Sequence, residues 1–341
     1  MSFDMSFIRV CCIKPLLLGI EKVYGIKSES LGIPIRLLDE PMALIPFTEV
    51  ADWFIKIEQL TGEQDFMLKL QSYLNFNQIG PLGNWFLSTP DLALSFRRIN
   101  YAIASFQSGA SYYGIQSSKI IKWCYNNPYA TDRSKSHDSL RIAISLLNTA
   151  RHFLGPNYSP IKVMLSGPTL GQNSIEKLMG CKVTWNAPQT ELWIGLNELI
   201  NNEFHHQVGQ PIFDADTALP FNQLDKFLNM PQAHDVPKLL YEMVNYCRFY
   251  GLPTLNKLAN LCGLSKQQLQ RRLAFTGFSF TELLKYILGN LAIKYMQEGK
   301  SITEISVLLG YSSNRSFSKS FQLFHQQTPT QYLQKIQQKS P

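Results

Sequence analysis

Several things are scarce in this 341-residue sequence, and each scarcity excludes something. Charged residues make up only 17% of the chain against 45% hydrophobic and 12% aromatic ones, which excludes a disordered polyelectrolyte and predicts folded domains. No apolar run approaches the roughly 20 residues of a membrane span. The most apolar N-terminal stretch, Pro15 to Ile20, is hemmed in by Lys14 and Glu21 and is too short for a signal-peptide core. A cytoplasmic location and no membrane partner are expected. The six cysteines form no C-x-x-C pair, and no histidine stands at zinc-finger spacing, so reduced thiols and no metal are expected. G-x-G-x-x-G, a P-loop, H-E-x-x-H and G-x-S-x-G are all missing, and no cofactor or catalytic residue is expected.

Acidic residues are scarce in one place in particular. Through Met230 the chain carries 19 Lys and Arg against 20 Asp and Glu; from Pro231 onward it carries 13 against 5. The whole net charge of +7 therefore comes from the last third. Such a shift predicts a domain boundary and an acidic partner, most often nucleic acid. Asn229 to Asp235 reads as the linker, with Pro231 stopping what precedes it. The expected division is 1–229 for a first domain, 230–235 for the linker and 236–341 for the second.

The last third contains a repeat. Leu255, Leu258, Ala259, Cys262, Gly263, Leu264, Ser265, Leu269 and Leu273 are echoed by Ile302, Ile305, Ser306, Leu309, Gly310, Tyr311, Ser313, Phe317 and Phe321. Each copy reads as a short amphipathic helix, a glycine that stops it, a serine able to cap the next helix, and a second helix with apolar residues four apart. This is the helix-turn-helix pattern. In the second copy Ser312 or Ser313 can supply the cap. Off its apolar stripe the first copy's second helix carries Gln267, Gln268, Gln270 and Arg271. The second copy's carries Asn314, Arg315, Ser318 and Lys319. Arg pairs bidentately with guanine, and Asn or Gln with adenine, in the major groove. A single polar helix face is most often just solvated; two at matched offsets are harder to dismiss. Phe280 to Met296 reads as one helix joining the copies, with Gly289 in its middle at an expected cost of about 1 kcal/mol relative to Ala.

These residues carry a family resemblance. PTLNKLANLCGLSKQQLQRRLAFTGFSF and LAIKYMQEGKSITEISVLLGYSSNRSFSKSFQLFHQQTPTQYL resemble the DNA-binding domain of the AraC/XylS transcription regulators, over Val236 to Gln334. The resemblance implies an all-α domain of seven helices with two helix-turn-helix units. It also implies base contacts from Gln267, Gln270 and Arg271, with Asn314, Arg315, Ser318 and Lys319 in the corresponding places of the second unit. The sequence departs from the family pattern at Ser306, where Ala is usual, at Ile287-Leu288-Gly289-Asn290, at Gln326, where Gly is often found, and at Leu333.

The first 230 residues say less. Helical spacing marks Phe47 to Leu74, Leu92 to Phe106 and His137 to Phe153, and β-rich runs mark Gln116 to Tyr125, Lys162 to Leu165 and Lys182 to Trp185. The mixture predicts an α+β domain. GPLGNWFLSTPDLALSF and LMGCKVTW resemble the arabinose-binding-like effector and dimerisation domain that precedes this DNA-binding module in relatives. Trp85, Phe86, Tyr112, Tyr113, Trp123 and Tyr125 read first as core and second as the wall of an apolar ligand pocket. His205-His206, Asp214 with Asp216, and Cys11-Cys12 are weak candidates for metal, acid–base and redox chemistry. The overall expectation is a sequence-specific regulator of transcription that binds double-stranded promoter DNA through two reading helices in successive major grooves. RNA polymerase, an unidentified small-molecule effector and a second copy of the chain are its expected partners. The rival expectation is an enzyme that DNA binding targets, which requires a reactive cysteine in a suitable setting.

Overall fold

The computed structural model describes residues 3–200 and 229–339. His205, His206, Asp214 and Asp216 lie outside the described residues. The chain forms two compact units: Ser6–Met230, and Pro231–Pro341 together with Met1–Met5.

The larger unit is α+β. Strands β1 (Phe7–Arg9) and β2 (Leu44–Pro46) form an antiparallel pair. Strands β3 (Ser111–Ser117), β4 (Ile120–Asn126), β5 (Lys162–Met164), β6 (Val183–Thr184) and β7 (Thr190–Gly195) form a sheet of order β3-β4-β7-β5-β6. Only β5 and β6 run parallel. Helices α1 (Val10–Tyr24), α2 (Ile35–Leu38), α3 (Phe47–Thr61), α4 (Pro81–Leu87), α5 (Leu92–Ala102), α6 (Asp132–Leu154) and α7 (Gln172–Met179) complete it.

The β-rich run Gln116–Tyr125 is not one strand. It straddles a tight hairpin turn at Ser118, which takes a left-handed φ of 56°. The run from Phe47 breaks after Thr61, where Gly62 caps α3, and resumes as a 3-10 helix at Phe66–Tyr73. Helix α6 begins five residues before His137, because Thr131 and Ser134 form a capping box there.

The central strand β7 was not among the expected ones, and its chemistry explains why. It buries Thr190, Leu192 and Ile194 and turns Trp193 outward, beneath the ammonium groups of Lys122 and Lys162. The buried Thr190 hydroxyl is satisfied by Ser139 of α6 at 2.6 Å. An inward hydroxyl and an outward tryptophan blur the apolar alternation that marks a strand.

Helix α6 packs against both β7 and α3 and is buried along most of its length despite its polar sequence. A three-residue cluster ties it to α3. Glu58 accepts two bonds from Arg133, at 3.0 Å from Nε and 2.8 Å from Nη2, and one from His137 Nε2 at 2.6 Å. Burial works against the Glu58 charge, but those bonds outweigh it and hold its carboxyl below the usual range. His137 is fully buried between Phe54 and Phe66. Its Nδ1 has no partner, so a second ring proton would be an orphaned donor. Burial keeps its pKa below the ordinary value in spite of Glu58.

Both shifts predict acid lability of this unit. Below about pH 6.5 the unfolded chain takes up a proton that folded His137 refuses, so stability falls as pH drops through that region. A second loss follows below about pH 4.3, as Glu58 protonates and releases its partners. Urea-unfolding midpoints between pH 7 and 5 should decline for the parent and decline less for His137→Phe. Equal slopes would rule out His137 as the source.

Among the described residues no helix is long and apolar enough to cross a membrane.

Candidate nucleic-acid interface

The smaller unit contains seven α-helices among its described residues: α8 (Val236–Cys247), α9 (Leu255–Leu261), α10 (Lys266–Phe275), α11 (Phe280–Gln297), α12 (Ile302–Leu308), α13 (Asn314–His325) and α14 (Pro329–Lys339). Pairs α9–α10 and α12–α13 are two helix-turn-helix units, and α11 joins them.

The two turns are built alike. Helix α9 ends where Leu264 N donates to Ala259 O at 2.9 Å, and helix α12 where Tyr311 N donates to Ser306 O at 3.0 Å. Gly263 and Gly310 carry φ of +61° and +82°, a left-handed conformation that closes the helix and sends the chain across it. Gly310 has a further constraint, since a Cβ there would stand 2.4 Å from the Gly251 carbonyl carbon. Ser306 is as buried as Ala259, and a small side chain is what the site admits.

The reading helices start at serine caps. Ser265 Oγ accepts from Gln268 N while Gln268 Oε1 accepts from Ser265 N, a reciprocal capping box. In the second unit the cap is Ser313, not Ser312, with its Oγ accepting from Ser316 N at 3.2 Å. Gln268 is therefore engaged at the helix start, whereas Gln267, Gln270 and Arg271 are exposed. Leu269 and Leu273, and Phe317 and Phe321 in the second unit, are buried and fix the outward faces.

Arg315 and Lys319 stand exposed on α13, and Ser318 is half-buried. Asn314 is exposed but tethered, its Nδ2 donating to Thr303 Oγ1 of α12 at 2.8 Å. A base edge must displace that bond or share the amide's remaining groups. Neither reading helix contains Asp or Glu, so nothing on these faces repels a phosphate.

Two features that hold the faces in place were not visible in the sequence. Arg248, just after α8, is 2% exposed. It donates through Nη1 to Leu308 O, at the end of α12, at 2.9 Å, and through Nε to Asn245 at 2.7 Å. A cation at the carbonyl end of a helix is favourably placed. The second feature is Gly289. A Cβ there would lie 2.7–2.9 Å from Phe324 and the His325 ring of α13. The glycine that weakens α11 by propensity is what lets α13 lie directly on it.

Gln326 shows the opposite situation. It caps α13 in the left-handed region at φ 55°, the position where glycine is favoured, and its N donates to Gln322 O.

Gly289→Ala should therefore destabilise this unit by about 1–3 kcal/mol, although an exposed helical site would gain about 1 kcal/mol from the same change. Gln326→Gly should stabilise it by about 1 kcal/mol through relief of the left-handed strain. Thermal unfolding of the two variants reads both signs, and a stabilised Gly289→Ala would show that the helices do not need the contact.

Four of the six thiols are poorly placed as nucleophiles. The adjacent Cys12 thiol and burial push Cys11 well above its ordinary value. Burial raises Cys124 and Cys262 to about 12 and Cys181 to about 11. A thiol so raised is almost wholly protonated at neutral pH.

Residues 258–335 match the family described as a helix-turn-helix domain. Residues 28–199 match the arabinose-binding domain of AraC transcription regulators, N-terminal, over half of the chain. No curated protein matches the chain in sequence. Among solved structures the chain is similar to the transcriptional regulator CdpR from Pseudomonas aeruginosa, at 15% identity, covering 94% of this chain and 97% of that one, with a TM-score of 0.42, a likeness too weak to bear on function. The two family matches, one on each unit and together spanning most of the chain, place it among the AraC-family transcription regulators, with a helix-turn-helix DNA-binding domain behind an effector-binding domain of the arabinose-binding type.

Proposed function

We propose that this regulator reads an asymmetric promoter site with α10 and α13 in successive major grooves, about 34 Å apart. The observation that carries the reading is the pair of serine-capped helices, each anchored by two buried residues and each free of carboxylates. Gln267, Gln270 and Arg271 form one reading face; Asn314, Arg315, Ser318 and Lys319 form the other. The arginines recognise guanine, Gln and Asn recognise adenine, and Lys319 and Ser318 position the phosphate backbone.

The boundary falls at the linker 230–235, with 1–229 as the regulatory domain and 236–341 as the reading domain. A small-molecule effector on the first alters DNA affinity or the contact with RNA polymerase through a coupling of about 1–3 kcal/mol. A dimer of the chain on a repeated operator is part of this reading. The protein acts in the cytoplasm and is not an enzyme; the burial that keeps Cys11, Cys124, Cys181 and Cys262 protonated counts against the rival that needs a reactive cysteine.

Selection of bound fragments from genomic DNA at fixed salt tests the reading. The parent should enrich one motif spanning two major grooves. Arg315→Ala should lose about 1–3 kcal/mol and relax selectivity at its own base, and Arg271→Ala should do so at the other end of the motif. Sequence-independent recovery of DNA by parent and variants alike would reduce the protein to a non-specific polyanion binder.

A further inference from the structure

Three sulfur atoms meet in the smaller unit. Cys262 Sγ lies 3.8 Å from Met5 Sδ and 3.8 Å from Met243 Sδ. Met243, on α8, is 0% exposed and Met5 6%. Cys262, the residue between α9 and Gly263, is half-buried. The three come together only in the fold, since Cys262 stands 257 residues from Met5 and 19 from Met243. Residues Met1–Met5 belong to this unit. Phe3 is buried with them, beneath the guanidinium of Arg272 on α10.

Hydrogen bonding does not account for the arrangement. A thiol has one proton to give, and a thioether has none. That proton can be aimed well at one of two thioethers at equal distance, not at both. What the three groups share is soft, polarisable sulfur.

The donor set limits which ion suits it. Zinc takes thiolate, imidazole and carboxylate, almost always four of them in a structural site, and this cluster supplies a single thiolate. Thioether beside thiolate selects Cu(I). Metal–sulfur bonds of about 2.3 Å in a flat triangle put the sulfurs about 4 Å apart, close to the two separations found. One thiolate and one Cu(I) sum to zero, so the loaded site brings no net charge into a buried place.

We propose that Cys262, Met5 and Met243 form a trigonal site for Cu(I). The ion displaces the thiol proton to solvent, so that the Cys262 thiol and Cu(I) give a copper thiolate and H⁺, with no change of oxidation state. Burial favours the protonated thiol and the Arg272 charge favours the thiolate. Coordination settles the balance, because a metal-bound thiol is deprotonated outright. The half-exposure of Cys262 supplies the path of entry. Seated there, the ion joins α8 to the turn at Gly263 that sends the chain into α10. The site is separate from the effector assigned to the larger unit and does not rest on the reading of DNA.

Titration of full-length protein with Cu(I), under argon and against the chromophoric chelator bicinchoninate, tests it. All the proteins compared carry Cys12→Ala, which removes the adjacent pair of thiols, 4.0 Å apart, as a competitor. Met5→Leu and Met243→Leu then leave every remaining thiol in place and nearly keep side-chain volume. Their unfolding temperatures without metal should stay near the parent's. Each should nevertheless hold one Cu(I) equivalent about 10- to 100-fold more weakly, the loss that follows even when an outer-shell partner is removed. Cys262→Ser should lose that equivalent altogether. X-ray absorption of the one-to-one complex should show three sulfur neighbours at about 2.3 Å. Cu(I) held by both methionine variants as tightly as by the parent overturns the proposal. So does a copper shell of two sulfurs, or one that contains nitrogen. No DNA is present in these measurements, so their failure leaves the regulator reading standing, and failure of DNA selection leaves the copper site standing.

Discussion

The linking helix and the second reading helix meet at a point where the linking helix contributes no side chain. Gly289 brings α11 into direct contact with the side chains of Phe324 and His325 of α13, and any Cβ would force those rings or the helix that carries them to shift. A helix inserted in a groove reads bases with bonds that are lost over comparable displacements. The orientation of Arg315 and Lys319 is therefore a consequence of packing at the other side of their helix. Arg248 adds a second fixed point by holding the end of α12 through Leu308 O. Between them, a glycine and a buried cation set the frame for the seven side chains proposed to read DNA.

The parts of this frame that are local in sequence could be read from it. The capping boxes at Ser265, Ser279 and Ser301 depend on residues three apart. The turn at Gly263 depends on one residue's backbone freedom, and the Leu269/Leu273 stripe on a four-residue spacing. Each signals its structure without knowledge of the rest of the chain. Gly289 was legible only as a defect, because helix propensity counts the lost Cβ and cannot count the partner helix that needs the space. Arg248 was not legible at all, since its acceptor lies 60 residues away. Gln268 shows the same limit on a smaller scale. Its position on the exposed side fits base reading as well as capping, and only the reciprocal bonds with Ser265 separate the two.

The larger unit hid more because its polar groups point inward. Helix α6 buries Ser136, His137, Asp138, Ser139, Arg141 and Thr149, and strand β7 buries Thr190 while leaving Trp193 half-buried on its outer face. Pattern reading assumes the reverse. Of the six aromatics that read first as core, Phe86, Trp123 and Tyr125 are core, with Tyr125 bonded to Asp138, while Tyr112 is buried at a cavity.

That inward polarity is also what suits the unit to regulation. A cavity walled only by aliphatic residues gains little from discriminating one small molecule from another, because methylene contacts differ by about 1–3 kcal/mol at most. Unpaired buried donors and acceptors discriminate far more sharply, since the wrong ligand leaves them unpaired. A ligand shifts a conformational equilibrium only by its differential affinity for the two states. Arg141 sits on the same helix as His137, four residues apart, and that helix carries both the Asp138 network and the Glu58 anchor to α3. Any shift of that helix therefore reaches α3 and β7 together.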